Sequence, residues 1–253
     1  YVFLSNTMKV ILALIIYLIL SLSAFSNTIT EKRNFVIEAK LSFLPKIPIM
    51  DIATILSITD NKYIYEFSIR TNNIVEFINN VNGDGRITGT LADEYYKPLH
   101  YKYKYKRKEK EKLVEIKYKD ADIIELNLIP MPDKTKLTKI DDDMLINTID
   151  PSTFFLNILK YKNINNCNAN FKIFDGKRRY NVEFNKKNKV IKDDLIYCEA
   201  KQTKLGGYKI DDNDDVFASS DYIKVIYKNN KDYEFHGYEA INGSVSVFIN
   251  EIK

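Results

Sequence analysis

Two histidines, two cysteines and a few charged clusters are the groups in this chain whose chemistry could do work. His100 and His236 stand far apart and belong to no nucleophile–base pattern. There is no Gly-x-Ser-x-Gly, no Cys-x-x-Cys and no His-Glu-x-x-His. A serine or cysteine without a base in reach stays a weak nucleophile. No catalytic residue is therefore assigned and a non-enzymatic protein is expected, with a hydrolytic enzyme as the minor alternative. Asp211-Asp212-Asn213-Asp214-Asp215 offers oxygen ligands, but the EF-hand spacing and its closing Glu are missing. It reads as a solvated loop, and neither a metal nor a cofactor is expected.

Tyr101-Lys-Tyr-Lys-Tyr-Lys106 interleaves rings and cations, which suits base stacking on single-stranded nucleic acid. The same alternation is that of a half-buried strand, with Tyr101, Tyr103 and Tyr105 on one face and Lys102, Lys104 and Lys106 on the other. The strand reading is preferred, and no nucleic-acid partner is expected. Asp175, Lys177, Arg178 and Arg179 could bind an anionic headgroup at the rim of a pocket. Asp175-Gly176 also makes a two-residue hairpin turn by itself, with the cations as solvated flanks, and this simpler reading is favoured.

The compartment is set by the first residues. Met8-Lys9 precedes an apolar run, Val10 to Leu22, and then Ser23-Ala24-Phe25-Ser26, the pattern of a secretory signal with cleavage after Ser26. Tyr1 to Thr7 are expected to lie upstream of the true start. A run of about 13 residues falls short of the roughly 20 that a spanning helix needs, so a retained anchor is the weaker reading. Phe25 stands where a lipidated cysteine would be, which argues against a lipoprotein. Residues 27–253 are read as a single exported domain. Cys167 and Cys198 are the only cysteines. In an oxidising compartment they are expected to form a disulfide; two buried thiols are the alternative. A net charge of +4 is too mild to argue for nucleic acid.

The elements around these groups are mostly strands, as 18 Tyr and 14 Phe among many Ile and Val would favour. Strands are predicted over residues 34–43, 49–59, 62–70, 86–91, from 101 to a solvated hairpin tip at 108–112, 113–118 and 123–129, with 74–78 ambiguous and Asn82-Gly-Asp-Gly85 as a turn. A polar break runs from about 130 to 149. Asp150 then caps a helix with Pro151 at its first position and with Phe154, Phe155, Ile158 and Leu159 on one face, ending near Lys160 or Tyr161. Strands follow at 170–174, 177–184, 196–202, 222–227, 233–241 and 244–252. Asn242-Gly243-Ser244 matches a glycosylation sequon but reads better as a hairpin turn.

Asp150-Pro151-Ser-Thr-Phe154, Cys167, Ile173-Phe174-Asp175-Gly176-Lys-Arg178-Arg179-Tyr180, Cys198 and Gly206-Gly207 fall in one order. That order, with Pro98-Leu-His-Tyr101 upstream, resembles the bacterial family called domain of unknown function 3108. The likeness is specific over residues 150–208 and thin before residue 85; the turn at Leu205-Gly206-Gly207 and the glycine-poor second strand depart from the family pattern. The resemblance implies a mainly β fold: a strongly curved antiparallel sheet, a half-open barrel of about eleven strands, wrapped around one main helix. This fold is similar to the periplasmic lipoprotein-localisation factors. Under it, Asp150, Pro151, Phe174, Asp175, Gly176, Arg178, Arg179, Tyr180 and Gly207 are structural motif residues.

The resulting expectation is a periplasmic binder or carrier of an apolar ligand, a lipid or an acylated protein. Its pocket would lie between sheet and helix, nearest Phe154, Phe155, Ile158 and Leu159. A scaffolding envelope protein with a filled core is the alternative. Fold alone does not choose between them.

Overall fold

The computed structural model describes residues 28–41, 44–72, 80–93, 95–107, 110–210, 222–242 and 245–252. The expected signal segment, the acidic stretch 211–215 read as a loop, the ambiguous 74–78 and the expected turn at Gly243 fall outside them. Thirteen strands form one antiparallel sheet. The first seven are β1 (Thr28–Leu41), β2 (Ile47–Thr59), β3 (Lys62–Thr71), β4 (Val81–Ala92), β5 (Tyr95–Arg107), β6 (Lys110–Lys119) and β7 (Asp122–Ile129). The others are β8 (Asn170–Phe174), β9 (Arg179–Lys192), β10 (Leu195–Gly206), β11 (Tyr222–Lys228), β12 (Phe235–Asn242) and β13 (Val245–Ile252). Each half is a simple meander, and β1 pairing with β13 zips the two together, leaving β7 and β8 as the ends of the sheet. The half-open barrel is borne out, with thirteen strands rather than about eleven.

Period-two burial drives the strands. In β3, Tyr63, Tyr65 and Phe67 point inward, and in β11 Ile223, Val225 and Tyr227 do the same. The tyrosines of β5 follow suit, Tyr101 being buried and Lys104 and Lys106 exposed, as the amphipathic-strand reading expects.

Asn82 to Gly85 is not a turn. It lies inside β4, paired with β3 on one side and β5 on the other. The glycines there serve ring packing instead. A Cβ on Gly85 would sit 2.1 Å from the Phe67 ring, and one on Gly83 would meet the Tyr103 ring at 2.7 Å. Aromatic side chains from both neighbouring strands lie across the bare backbone. Local punctuation therefore misled, because the need for glycine comes from strands elsewhere in the chain.

Between β7 and β8 the chain forms a strap and then helix α1 (Pro151–Ile158). This helix is shorter than expected, ending at Ile158 with Leu159 as its cap. Eight residues are marginal as an isolated helix, so burial has to hold this one. It carries no charged side chain and is packed on both sides. Phe154 and Ile158 join a core with Phe35, Phe171, Val182, Val225 and Tyr227, while Leu156 joins another with Tyr63, Tyr96, Ile116 and Tyr118.

The β8–β9 loop has four residues, Asp175 to Arg178, rather than a two-residue turn. Asp175 closes it by accepting from the N–H groups of Lys177 (2.9 Å) and Arg178 (2.6 Å), and its other oxygen takes the Arg178 Nε at 2.7 Å. Gly207 has φ +78°, and a Cβ there would lie 1.8 Å from the Lys177 carbonyl oxygen, so only glycine lets the β10 end meet this loop.

Cys167 and Cys198 are bonded, both fully buried. The bridge fastens the turn after α1 to β10. It spans a sequence separation of 31, for which the chain-entropy account gives about 3–4 kcal/mol. Replacing both cysteines by serine should lower the unfolding free energy by about that amount in urea titrations. A wild-type midpoint that does not move on adding reductant would contradict this.

Candidate functional site

The site is organised by the way α1 is held. Asp150, with no solvent exposure, accepts from the N–H groups of Ser152 (3.0 Å) and Thr153 (2.9 Å), and its second oxygen takes the Thr153 hydroxyl at 2.6 Å. Two of the helix's open amides are satisfied in this way. In the last turn, Asn157 Oδ1 accepts from the Tyr96 N–H at 3.0 Å, and Asn157 Nδ2 donates to the Tyr96 carbonyl at 3.1 Å. β6 pairs with β5 only from His100 onward, so Asn157 stands in for the missing strand. At the far end the Tyr227 hydroxyl donates to the Ile158 carbonyl at 2.5 Å. Nothing in the sequence pattern marked Asn157, beyond its being a polar residue in an apolar helix.

Burial pushes the Asp150 carboxyl up to about 6, against the pull of its hydrogen bonds to Thr153 and Ser152. Tyr63, Tyr101 and Tyr118 face it from β3, β5 and β6. Their own burial, and next the Asp150 charge, hold their hydroxyls well above the usual tyrosine range. The Tyr63 hydroxyl lies 3.5 Å from Thr153 Oγ1.

Beside this capped end lies an apolar cavity of about 290 Å³. Pro151, Ser152, Phe154 and Phe155 form its helix side, and Ile52, Tyr65, Phe67 and Ile69 come from β2 and β3. Tyr180, Gln202, Ile223, Tyr238 and Ile249 complete it from β9 to β13. None of these side chains is charged. Burial raises the Tyr180 and Tyr238 hydroxyls, which therefore stay neutral.

Of the four apolar helix residues predicted to meet a ligand, Phe154 and Phe155 do line this cavity. Ile158 is fully buried in the core, and Leu159 lies at the opposite end of the helix. The strand residues of the lining were missed. Each sits at an inward position of a recognisable strand, but only the folded sheet shows which inward positions converge.

At that opposite end a wider, polar mouth of about 1140 Å³ opens between Leu159, Tyr161, Tyr233, Phe235 and a rim of both charge signs. A narrow hollow of only about 30 Å³, a throat lined by Tyr65, Tyr96, Leu156 and Leu159 among others, shares Tyr65 with the cavity and Leu159 with the mouth.

The arginines of the predicted hairpin are not simply solvated. Arg179 is buried, its Nε donating to the Met144 carbonyl at 2.6 Å, which ties the strap to β9. Arg178 is held by Asp175. Neither is placed to meet a headgroup at the cavity. His100 lies on the outer surface, 2.9 Å from Glu115, with Lys102 at 3.1 Å from the same oxygen. Burial raises the Glu115 carboxyl, but these two hydrogen bonds outweigh it and hold it below the ordinary range. His236 is exposed on β12. Among the described residues no three of His, Cys, Asp and Glu gather as a metal site would need. No helix among them is long and apolar enough to cross a membrane.

Fold and site together define a β-barrel-like protein: an open antiparallel sheet wound about a buried helix, with an uncharged cavity beside the helix start. The chain belongs to the family described as "Protein of unknown function (DUF3108)", which matches residues 38–228. It is also similar to the crystal structure of a "Beta-barrel-like Protein of Domain of Unknown Function DUF1849 from Brucella abortus". That likeness has 10% identity and a TM-score of 0.46, covering 90% of this chain and 98% of that one. No curated protein matches the chain.

The Asp150 environment has a pH signature. Its folded carboxyl, at about 6, holds a proton more tightly than an unfolded one near 3.8. The stability it contributes is thus fully present below about pH 4 and lost as pH rises through about 6, a swing of about 3 kcal/mol. Asp150→Asn keeps a capping acceptor but cannot ionise. The difference in urea-derived stability, wild type minus variant, should fall by about that amount between pH 4 and 7. A difference that stays constant across this range would refute the assignment.

Proposed function

We propose that this is an exported, periplasmic protein that binds and carries an apolar ligand, the acyl chain of a lipid or of an acylated protein, and has no catalytic activity. The observation that carries this reading is the uncharged cavity of about 290 Å³ between the α1 start and the inner face of the sheet. Ligand sites are mostly apolar with a few placed polar groups, and Ser152, Gln202 and the tyrosines supply those here. At about 30 Å³ per water-sized unit, the space holds a chain of roughly ten heavy atoms. The outward, solvent-side placement of both histidines supports a non-enzymatic reading. The apolar run from Val10 to Leu22 and the small residues after it support export.

One observation favours the second reading, a structural or scaffolding envelope protein. Leu156 and Ile158 are almost wholly buried on opposite sides of the helix, so the core is largely filled. The two readings part on ligand binding. Native protein purified from its own cells should release acyl lipids on solvent extraction, and the emptied protein should bind a fluorescent acyl probe. Ile69→Trp, at a half-buried lining position, should weaken that probe by about tenfold or more, corresponding to roughly 1.4 kcal/mol. Finding neither lipid nor probe binding would sink the carrier and leave the scaffold.

A further inference from the structure

Cavity, throat and mouth share walls. Tyr65 lines both the apolar cavity and the throat, while Glu31, Arg33, Leu159 and Lys160 line both the throat and the polar mouth. Charge appears only on the mouth side of Tyr65. The cavity is uncharged, the throat sets Thr54 and Tyr96 beside Glu31, Arg33 and Lys160, and the mouth carries further lysines and carboxylates together.

Tyr96 is the informative residue. It is 2% exposed, and its hydroxyl is buried with no hydrogen-bond partner among the described residues. Its backbone groups are both satisfied by Asn157, and the Lys160 Nζ lies 4.9 Å from its ring centre. A buried phenol left without an acceptor costs stability, and a ligand that brings one recovers it. Some of the chain's left-handed residues stand at the mouth. Asn165, Asn166 and Tyr233 line it with φ of 43°, 58° and 49°, and such left-handed residues gather at ligand sites.

We propose, on the basis of the carrier reading, that the ligand is a single-chain acyl ester with a neutral or zwitterionic polar head. The head sits in the mouth and the ester carbonyl accepts from the Tyr96 hydroxyl. The acyl chain runs along α1 into the apolar cavity. Its length of travel is about 12 Å, that of eight helical residues. A cavity worth about ten water volumes takes one chain, not two. Because the throat is only about 30 Å³ wide, the Leu159 side chain has to swing aside to admit it.

The test compares lauroyl lysophosphatidylethanolamine with its O-dodecyl ether analogue, which has the same head and chain length but no carbonyl. Wild type should bind the ester roughly tenfold tighter. Tyr96→Phe should bring the ester down to the ether's affinity and leave the ether unchanged, which also shows that the variant is folded. Equal, tight binding of both by wild type would overturn the ester assignment while the carrier reading stands. A preference that survives Tyr96→Phe would overturn the role of Tyr96. Binding of neither would remove the carrier reading itself. Should the variant lose the ether as well, the wild-type ratio alone decides.

Discussion

The carboxamide of Asn157 does for one residue what a neighbouring strand does for many. It meets both backbone groups of Tyr96 at the point where β6 has already turned away. Its oxygen takes a further hydrogen bond from Asn163 at 3.0 Å. A buried amide and carbonyl without partners would each be expensive, so the helix and the start of β5 need one another. The same requirement recurs at both helix ends, met by Asp150 at one and by the Tyr227 hydroxyl at the other. An eight-residue helix inside a sheet can be polar at its ends only if the sheet curves far enough to reach all of them. Contacts to β5 on one side and β11 on the other set that curvature.

Placing the helix on this axis decides where space is left. Its side chains fill the middle of the barrel from both sides, and the two cores meet at α1. Room is left toward each of its ends. At the start, Pro151 and Ser152 leave an apolar hollow, and at the end, Leu159 and Lys160 open onto charged loops. The helix therefore imposes an apolar-to-polar axis on the protein, although both sides of the helix itself are apolar. Burying Asp150 at the apolar end works against stability at neutral pH. The cost is accepted where the carboxylate replaces strand-like partners for two amides of the first turn.

Much of this was legible wherever the cause is local. Asp150-Pro151 announces a helix start because capping and a fixed φ act within three residues. The Tyr/Lys alternation of β5 and the pairing of Cys167 with Cys198 were likewise readable. What failed depends on distant parts of the chain. Gly83 and Gly85 look like a turn until the Phe67 and Tyr103 rings are laid over them. Arg179 looks like a solvated flank until the strap brings the Met144 carbonyl to it. The cavity lining had no signal of its own, because Ile52, Ile223 and Ile249 are ordinary inward residues of ordinary strands.

This explains why the family was easier to recognise than the function. The residues that carry the resemblance each solve a single structural problem. Asp150 caps, Asp175 closes a loop, Gly207 lets that loop meet β10, and Cys167 and Cys198 staple the helix exit to the sheet. Each needs one particular side chain, so each is visible as a motif. The cavity only needs its walls to be apolar, of the right size and free of charge, a condition that many residues on many strands can meet. Tyr96 departs from that rule. Its ring suits the core, but its hydroxyl, like that of Tyr118, is buried without a hydrogen-bond partner among the described residues, and packing alone does not explain that.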